Sequence, residues 1–231
     1  MFQAIRNWTR PCRRAVRQLR RLRLCELAYF ETLSYSQFGE DLFLEQFFTG
    51  LSSGFYVDVG AYHPFRFSNT YRFYRRGWSG INLEPNPTSF EPFARHRPRD
   101  INLQLAVSSQ PGSADFVCDS AYSGILNERY PHHKRARKAR QVSVQCQSLE
   151  SILDRHLPAG QSIQFLSVDC EGHDAEVIKS NHWDKYRPRV VLVEDSSKES
   201  KSEVDCLLEQ QGYSFHSFLT LTKVFVDSRA A

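Results

Sequence analysis

The sequence predicts an α/β fold: a doubly wound, mostly parallel sheet that closes on an antiparallel C-terminal strand. Three observations predict it. Short apolar runs alternate with helix-like segments from residue 54 to residue 212, the pattern of parallel strands joined by crossover helices. Two successive runs, Gly54-Phe-Tyr-Val-Asp-Val-Gly60 and Gly80-Ile-Asn-Leu-Glu84, end at a glycine and a carboxylate and place Asp58 and Glu84 near the strand ends. The last two runs, 213–218 and 221–227, are separated by a short turn and therefore pair antiparallel.

Taken in order, residues 1–30 read as a basic helix. Trp8, Val16, Leu19, Leu22, Leu24 and Leu27 form a loose apolar stripe among arginines, and Pro11 interrupts it. The globular part begins near Tyr35, which divides the chain into a basic extension, 1–33, and a main domain, 34–231. Ser36 reads as the N-cap of the first domain helix, with Glu40 or Asp41 in its first turn. The first strand is 54–59. Ser68-Asn-Thr caps a helix over 69–76. The second strand is 80–84, stopped by Pro85 and Pro87, and a helix over 88–95 follows. The third strand is 101–107. The alternating segments 114–118 and 141–146 pair around a basic insert at about 119–140. A helix over 148–156 leads into the fourth strand, 163–169. A helix over 174–180 leads into the fifth, 189–194. A helix over 201–211 stops at Gly212.

Composition bounds the function. The 231 residues suffice for one sizeable domain, and no run approaches the roughly 20 apolar residues of a membrane span. No apolar core of a secretory signal is present near the N-terminus. Cys12, Cys25, Cys118, Cys146, Cys170 and Cys206 form no C-x-x-C pair and read as scattered thiols of a reducing, cytoplasmic setting. The net charge of +4 hides an asymmetry. Residues 1–24 hold eight arginines and no acid, and 132–140 hold five Lys or Arg and no acid. The remainder is acidic, with a net charge of −9. The extension reads either as a peripheral contact with an anionic membrane or as a solvated arm. The insert reads as a solvated loop, as an attractor of an anionic acceptor, or as a nucleic-acid contact. The acidic body and the lack of a recognisable RNA-binding module argue against the last.

Carboxylates at strand ends lie where open α/β sheets bind ligands, and Glu84, some twenty residues beyond a glycine turn, suits the hydroxyls of a ribose. The ligand is not a dinucleotide. Only Gly60 occupies the first turn, and Tyr62, His63 and Pro64 crowd the path a pyrophosphate would take. S-adenosylmethionine carries no phosphate; it needs one close backbone approach, which Gly60 allows, and carboxylates near its cationic groups, which Asp58 supplies.

Six motifs then stand in order: Tyr35-Ser-Gln-Phe-Gly-Glu-Asp-Leu, Gly54-Phe-Tyr-Val-Asp-Val-Gly-Ala, Phe67-Ser-Asn-Thr, Gly77-Trp-Ser-Gly-Ile-Asn-Leu-Glu-Pro-Asn-Pro, Ala106-Val-Ser and Ser167-Val-Asp-Cys-Glu-Gly-His-Asp. Together they resemble the FkbM family of S-adenosylmethionine-dependent methyltransferases, over about residues 35–227. The resemblance implies a class I methyltransferase fold with a seven-stranded Rossmann-like sheet, S-adenosyl-L-methionine as cofactor, and O-methylation of sugars or natural products. Members of similar length include glycan 2-O-methyltransferases acting on the fucose of nodulation factors. The resemblance places Asp58 and Gly60 at the methionine end of the cofactor, Glu84 on its ribose, and Ala106 and Val107 near its adenine. Gln37, Glu40 and Asn69 then close the pocket, and Asp169 serves both cofactor and acceptor.

Methyl transfer to a hydroxyl needs a base that takes the proton. The candidates are Asp169, Glu171 and His173, just beyond the fourth strand, with His63 as a further option. Asp174 reads as a first-turn helix charge. Asp169, Glu171 and His173 also have the donor types of a divalent-metal site, although no metal is expected. The expected acceptor is a glycan or another hydroxyl-bearing small molecule, with a natural-product or lipid-linked hydroxyl as the alternative. A non-catalytic adaptor that keeps the fold and binds membrane or nucleic acid is the alternative from another class.

Overall fold

Strands covered on both faces read as unbroken apolar runs rather than alternating ones, and Val190-Val-Leu-Val-Glu194 is such a run. The computed structural model describes residues 32–126, 139–195 and 201–229. The helix expected over 1–30 and the central part of the basic insert, 127–138, lie outside them.

Seven strands form the main sheet: β1 (Phe55–Val59), β2 (Ser79–Leu83), β3 (Ile101–Leu103), β8 (Phe165–Val168), β9 (Val190–Glu194), β10 (Tyr213–Leu219) and β11 (Thr222–Asp227). Their order is β10-β11-β9-β8-β1-β2-β3. All neighbours pair parallel from β3 through β9, and β11 runs antiparallel to both β9 and β10. This is a class I Rossmann-like sheet, doubly wound as the alternation predicts.

The period-2 side-chain alternation of β1 sorts its residues between two cores. Phe55, Val57 and Val59 face one side and pack with Leu166, Val168, Val191 and Val193. Helices α5 (Leu149–His156), α6 (Asp174–Lys179) and α7 (Glu203–Gln210) cover that face through Ile152, Val177 and Leu208. Tyr56 and Phe165 face the other side, beneath α1 (Glu40–Phe47) and α2 (Tyr71–Arg75), with Leu44, Phe48, Phe73 and Trp78. Each such fully buried side chain contributes about 1.5–3 kcal/mol by leaving water.

A second sheet stands beside the strand ends, in the order β4-β7-β5-β6. Its strands are β4 (Ala106–Val107), β5 (Gly112–Cys118), β6 (Gly124–Ile125) and β7 (Arg140–Gln147). The antiparallel β5–β7 pair is the one expected around the basic insert.

Several boundaries differ from expectation. The third strand is two: β3 closes the main sheet, while Ala106 and Val107 leave it and pair with Cys146 and Gln147. The helix expected over 88–95 is two short ones, α3 (Pro87–Phe90) and α4 (Phe93–His96), split at Pro92, which has no amide hydrogen to donate. Ser36 does not cap α1. That helix begins after Gly39, whose left-handed φ of 90° suits glycine. The Ser36 hydroxyl instead accepts from the Gly39 and Asp41 amides and donates to the Asp41 carboxylate. No described helix is long and apolar enough to cross a membrane. Cys118, Cys146, Cys170 and Cys206 are free thiols.

Candidate active site

The C-terminal ends of β1, β2, β8 and β9 open onto a cavity of about 890 Å³, roofed by β4 and by the segment that carries β6. Pockets of this size admit a cofactor and part of a second molecule. Gly60 follows β1 with a φ of +81°. A Cβ there would lie 1.8 Å from the Asp169 carbonyl oxygen. The glycine is thus required by the approach of the β1 and β8 ends to one another, besides leaving the cavity wall bare.

Glu84 lies one residue past β2. Its carboxylate accepts the Tyr62 and Asn86 amides, each at 2.7 Å. Burial nevertheless raises its pKa to about 7, against the lowering effect of those two amides. Leu105, Ala106, Val107 and Phe116 form an apolar wall beside it. Tyr62 and Phe67 line the same cavity with positive φ values of 50° and 55°, backbone states that persist only where the surroundings impose them. Their rings stack at 6.3 Å.

The opposite wall is acidic. One carboxylate oxygen from each of Asp169, Glu171 and Glu194 lies within 4.8 Å of the other two. Burial, followed by the Glu194 charge, holds Asp169 well above the carboxylate range. Burial raises Glu171 to about 8, assisted by Glu194, Asp174 and Asp119. Burial and neighbouring acids thus favour the protonated forms of Asp169 and Glu171. The trio can hold and release a proton, and its donor set also suits a divalent cation.

Of the residues expected at the site, Gln37, Gly60, Glu84, Ala106, Val107, Asp169, Glu171 and His173 all line the cavity. Gln37 and Asp169 also border a side niche that Glu40 and Asn69 reach. Glu40 is taken up by structure: its carboxylate accepts from the Thr222 hydroxyl and the Phe38 amide. The Asn69 side chain donates to the Ser167 hydroxyl. Asp58 is not on the cavity wall. Strand alternation turns it to the side of Tyr56, where it accepts from the Thr70 hydroxyl at 3.0 Å. Burial raises it to about 6, opposed by Arg97, Thr70 and Ser167. Asp174 accepts the Cys170 and Gly172 amides and shapes the turn into α6. His63 lies in the loop after β1, and its Nδ1 accepts the Phe65 and Arg66 amides. His173 stands at the start of α6 and is not among the three clustered carboxyls. Glu194, which the sequence reading missed, takes the third place. Its signal was present: it ends the fifth apolar run as Glu84 ends the second.

Comparison with protein families matches residues 58–215 to the methyltransferase FkbM domain. No curated protein matches the sequence. Among solved structures, the METTL16 MTase domain is similar with a TM-score of 0.47 and 11% identity over 81% of this chain, which spans 65% of that domain's length. A TehB-like SAM-dependent methyltransferase from Corynebacterium glutamicum is similar with a TM-score of 0.44 and 10% identity, over 93% of this chain and 99% of that one. At these scores neither likeness bears on function.

Proposed function

The chain belongs to the FkbM methyltransferase family, and on that footing we propose that it transfers the methyl group of S-adenosylmethionine to a hydroxyl oxygen of a sugar. One observation carries the proposal. A single cavity combines a wall suited to an adenosyl group with a carboxyl trio able to take a proton from an alcohol.

The residues present fit the donor. Glu84 is fixed by two amides with its remaining lone pairs available to a ribose diol. Leu105, Ala106, Val107 and Phe116 offer apolar surface to a purine. When bound, the donor supplies an electrophilic methyl group on a sulfonium. The protein's part is to hold the acceptor oxygen in line, about 3 Å from that carbon, and to accept the hydroxyl proton as the new bond forms. Glu171 is the proton acceptor in this reading. Its raised pKa, about 8, makes it a stronger base than an ordinary carboxylate.

The lining favours a neutral acceptor over an anionic one. Glu84, Asp169, Glu171, Asp174, Glu194, Asp195 and Glu203 all border the cavity, and no Lys or Arg does among the described residues. An anionic group would meet that field unpaired. Sugar hydroxyls meet it as hydrogen-bond donors.

Titration calorimetry with S-adenosylmethionine, followed by labelled-methyl transfer to a panel of neutral glycans, lipid-linked sugars and small alcohols, tests the proposal. The expected result is donor binding by the wild type and label on a sugar oxygen, fucosylated chitin oligosaccharides being one panel member. A wild type that binds no donor would overturn the enzyme reading and favour the adaptor. Label on a non-sugar hydroxyl would overturn the acceptor assignment alone.

A further inference from the structure

Behind β1 and β2, on the side covered by α1 and α2, Arg97 is fully buried. Its Nε donates to Asp100 at 2.8 Å. Nη1 donates to the Pro64 carbonyl at 2.8 Å, and Nη2 to the Tyr56 hydroxyl at 2.9 Å and the Thr70 hydroxyl at 3.0 Å. The Tyr74 ring lies 4.7 Å from the guanidinium carbon. Asp100 also accepts from Tyr56, from the Gly80 amide and from the Asn82 side chain. A planar fork with fixed donor directions meets four elements at once, which a lysine ammonium does not do.

Two of those contacts fall within the cavity loop that follows β1. Pro64 ends the tight segment that begins at Gly60, and Thr70 precedes α2. Tyr62 stands two residues before Pro64, and Phe67 lies between Pro64 and Thr70; each has strained backbone and each is on the cavity wall. Backbone of this kind is sparsely populated and needs an external hold. Thr70, having accepted from Arg97, directs its own hydrogen to Asp58. The guanidinium therefore reaches the far end of the loop and, beyond it, the end of β1 through the Thr70 hydroxyl, and the middle of the loop through the Pro64 carbonyl. A buried ion pair adds little net stability over apolar packing, so its effect should be read in geometry.

We infer that Arg97 is a positioning residue for methyl-donor binding: through Pro64 and Thr70 it fixes the loop 60–70 that walls one side of the cavity. The inference rests on the donor reading of that cavity. Three variants test it. Arg97→Lys keeps the charge and loses the fork. Thr70→Val removes the hydroxyl that joins Arg97 to Asp58 and also meets Ser68, and Thr70→Ser keeps it.

Amide hydrogen exchange without donor is the first readout. In Arg97→Lys the amides of Gly60, Ala61 and Tyr62 should exchange at least about tenfold faster while those of Val191 and Val193 stay protected. Steady-state kinetics are the second. Donor KM should rise about tenfold or more in Arg97→Lys and Thr70→Val, with kcat within about threefold of wild type, and Thr70→Ser should restore KM. Unchanged loop exchange, a fall in kcat at constant KM, or failure of Thr70→Ser to rescue would each overturn the inference. If Arg97→Lys does not fold, the Thr70 pair carries the test. A wild type that binds no donor while loop exchange still responds would leave the loop role standing and overturn the donor assignment.

Discussion

Glu84 shows how one carboxylate is fixed on the cavity wall. Two backbone amides hold it, and burial keeps its pKa near 7. Glu84→Gln retains the shape and removes the charge. A hydrogen bond to a charged group contributes about 1.5–3 kcal/mol, so donor affinity should fall about 10- to 100-fold in calorimetry, with the fold intact by circular dichroism. Glu171 is the second decisive residue. Glu171→Gln should lower turnover by about 10²–10⁴ while donor affinity stays within a few fold. In the proposed mechanism Glu171 acts as the carboxylate, so wild-type kcat should rise with pH up to about 8, and this limb should vanish in the variant. An equal loss in His173→Ala, with Glu171→Gln fully active, would assign the proton to the imidazole instead.

The elements matter through where they end. Asp58, Glu84, Asp169 and Glu194 each lie at or next to the C-terminal end of a parallel strand, which is why four separate segments converge on one sheet edge. Gly60 permits that convergence. Gly60→Ala should prevent the β1 and β8 ends from closing, since the new Cβ would meet the Asp169 carbonyl at 1.8 Å. Donor binding should be lost and the melting temperature lowered. Gly77→Ala provides the comparison. Gly77 shares a positive φ of +94° but has nothing within 4 Å of an added Cβ, so its replacement should cost only about 1 kcal/mol and leave donor affinity unchanged. The strand alternation that hides Asp58 also follows from element geometry. Tyr56 and Asp58 share a face, and that face belongs to α1 and α2.

For the whole molecule, the buried acids set an unusual pH response. Asp58 and Asp174 are raised to about 6 and Glu84 to about 7, all chiefly by burial. Between about pH 4 and 7 the native state thus binds more protons than the unfolded chain, whose carboxyls titrate near 4. Stability then falls as pH rises through that window. Asp205 and Asp227, held low against their burial by Lys223 and Arg187, act in the opposite sense but only below about pH 4. The melting temperature of the ligand-free protein should drop by about 5 °C or more from pH 5 to pH 8. A flat or rising profile would show that these acids are ionised in the fold.

Local signals determined much of this protein. Apolar runs and their breaks gave the order of strands and helices, because a doubly covered strand has to be apolar throughout. The spacing from Gly60 to Glu84 placed a carboxylate at the ligand-binding edge, because the second strand of a parallel sheet ends there. The ordered motifs marked the family. Tertiary structure alone decided the rest. Ala106 and Val107 were legible as strand but not as members of a second sheet, since partner choice depends on Cys146 and Gln147, some forty residues away. Glu40 was legible as polar and near the site, but Thr222 claims its carboxylate. Glu194 joins Asp169 and Glu171 only because β9 lies beside β8. The Arg97 hub joins residues 56, 64, 70 and 100, which no period or spacing relates. Hydrophobic patterning and turn chemistry act between near neighbours and can be read along the chain. Charge pairing inside a protein acts through space, and only folding sets those distances.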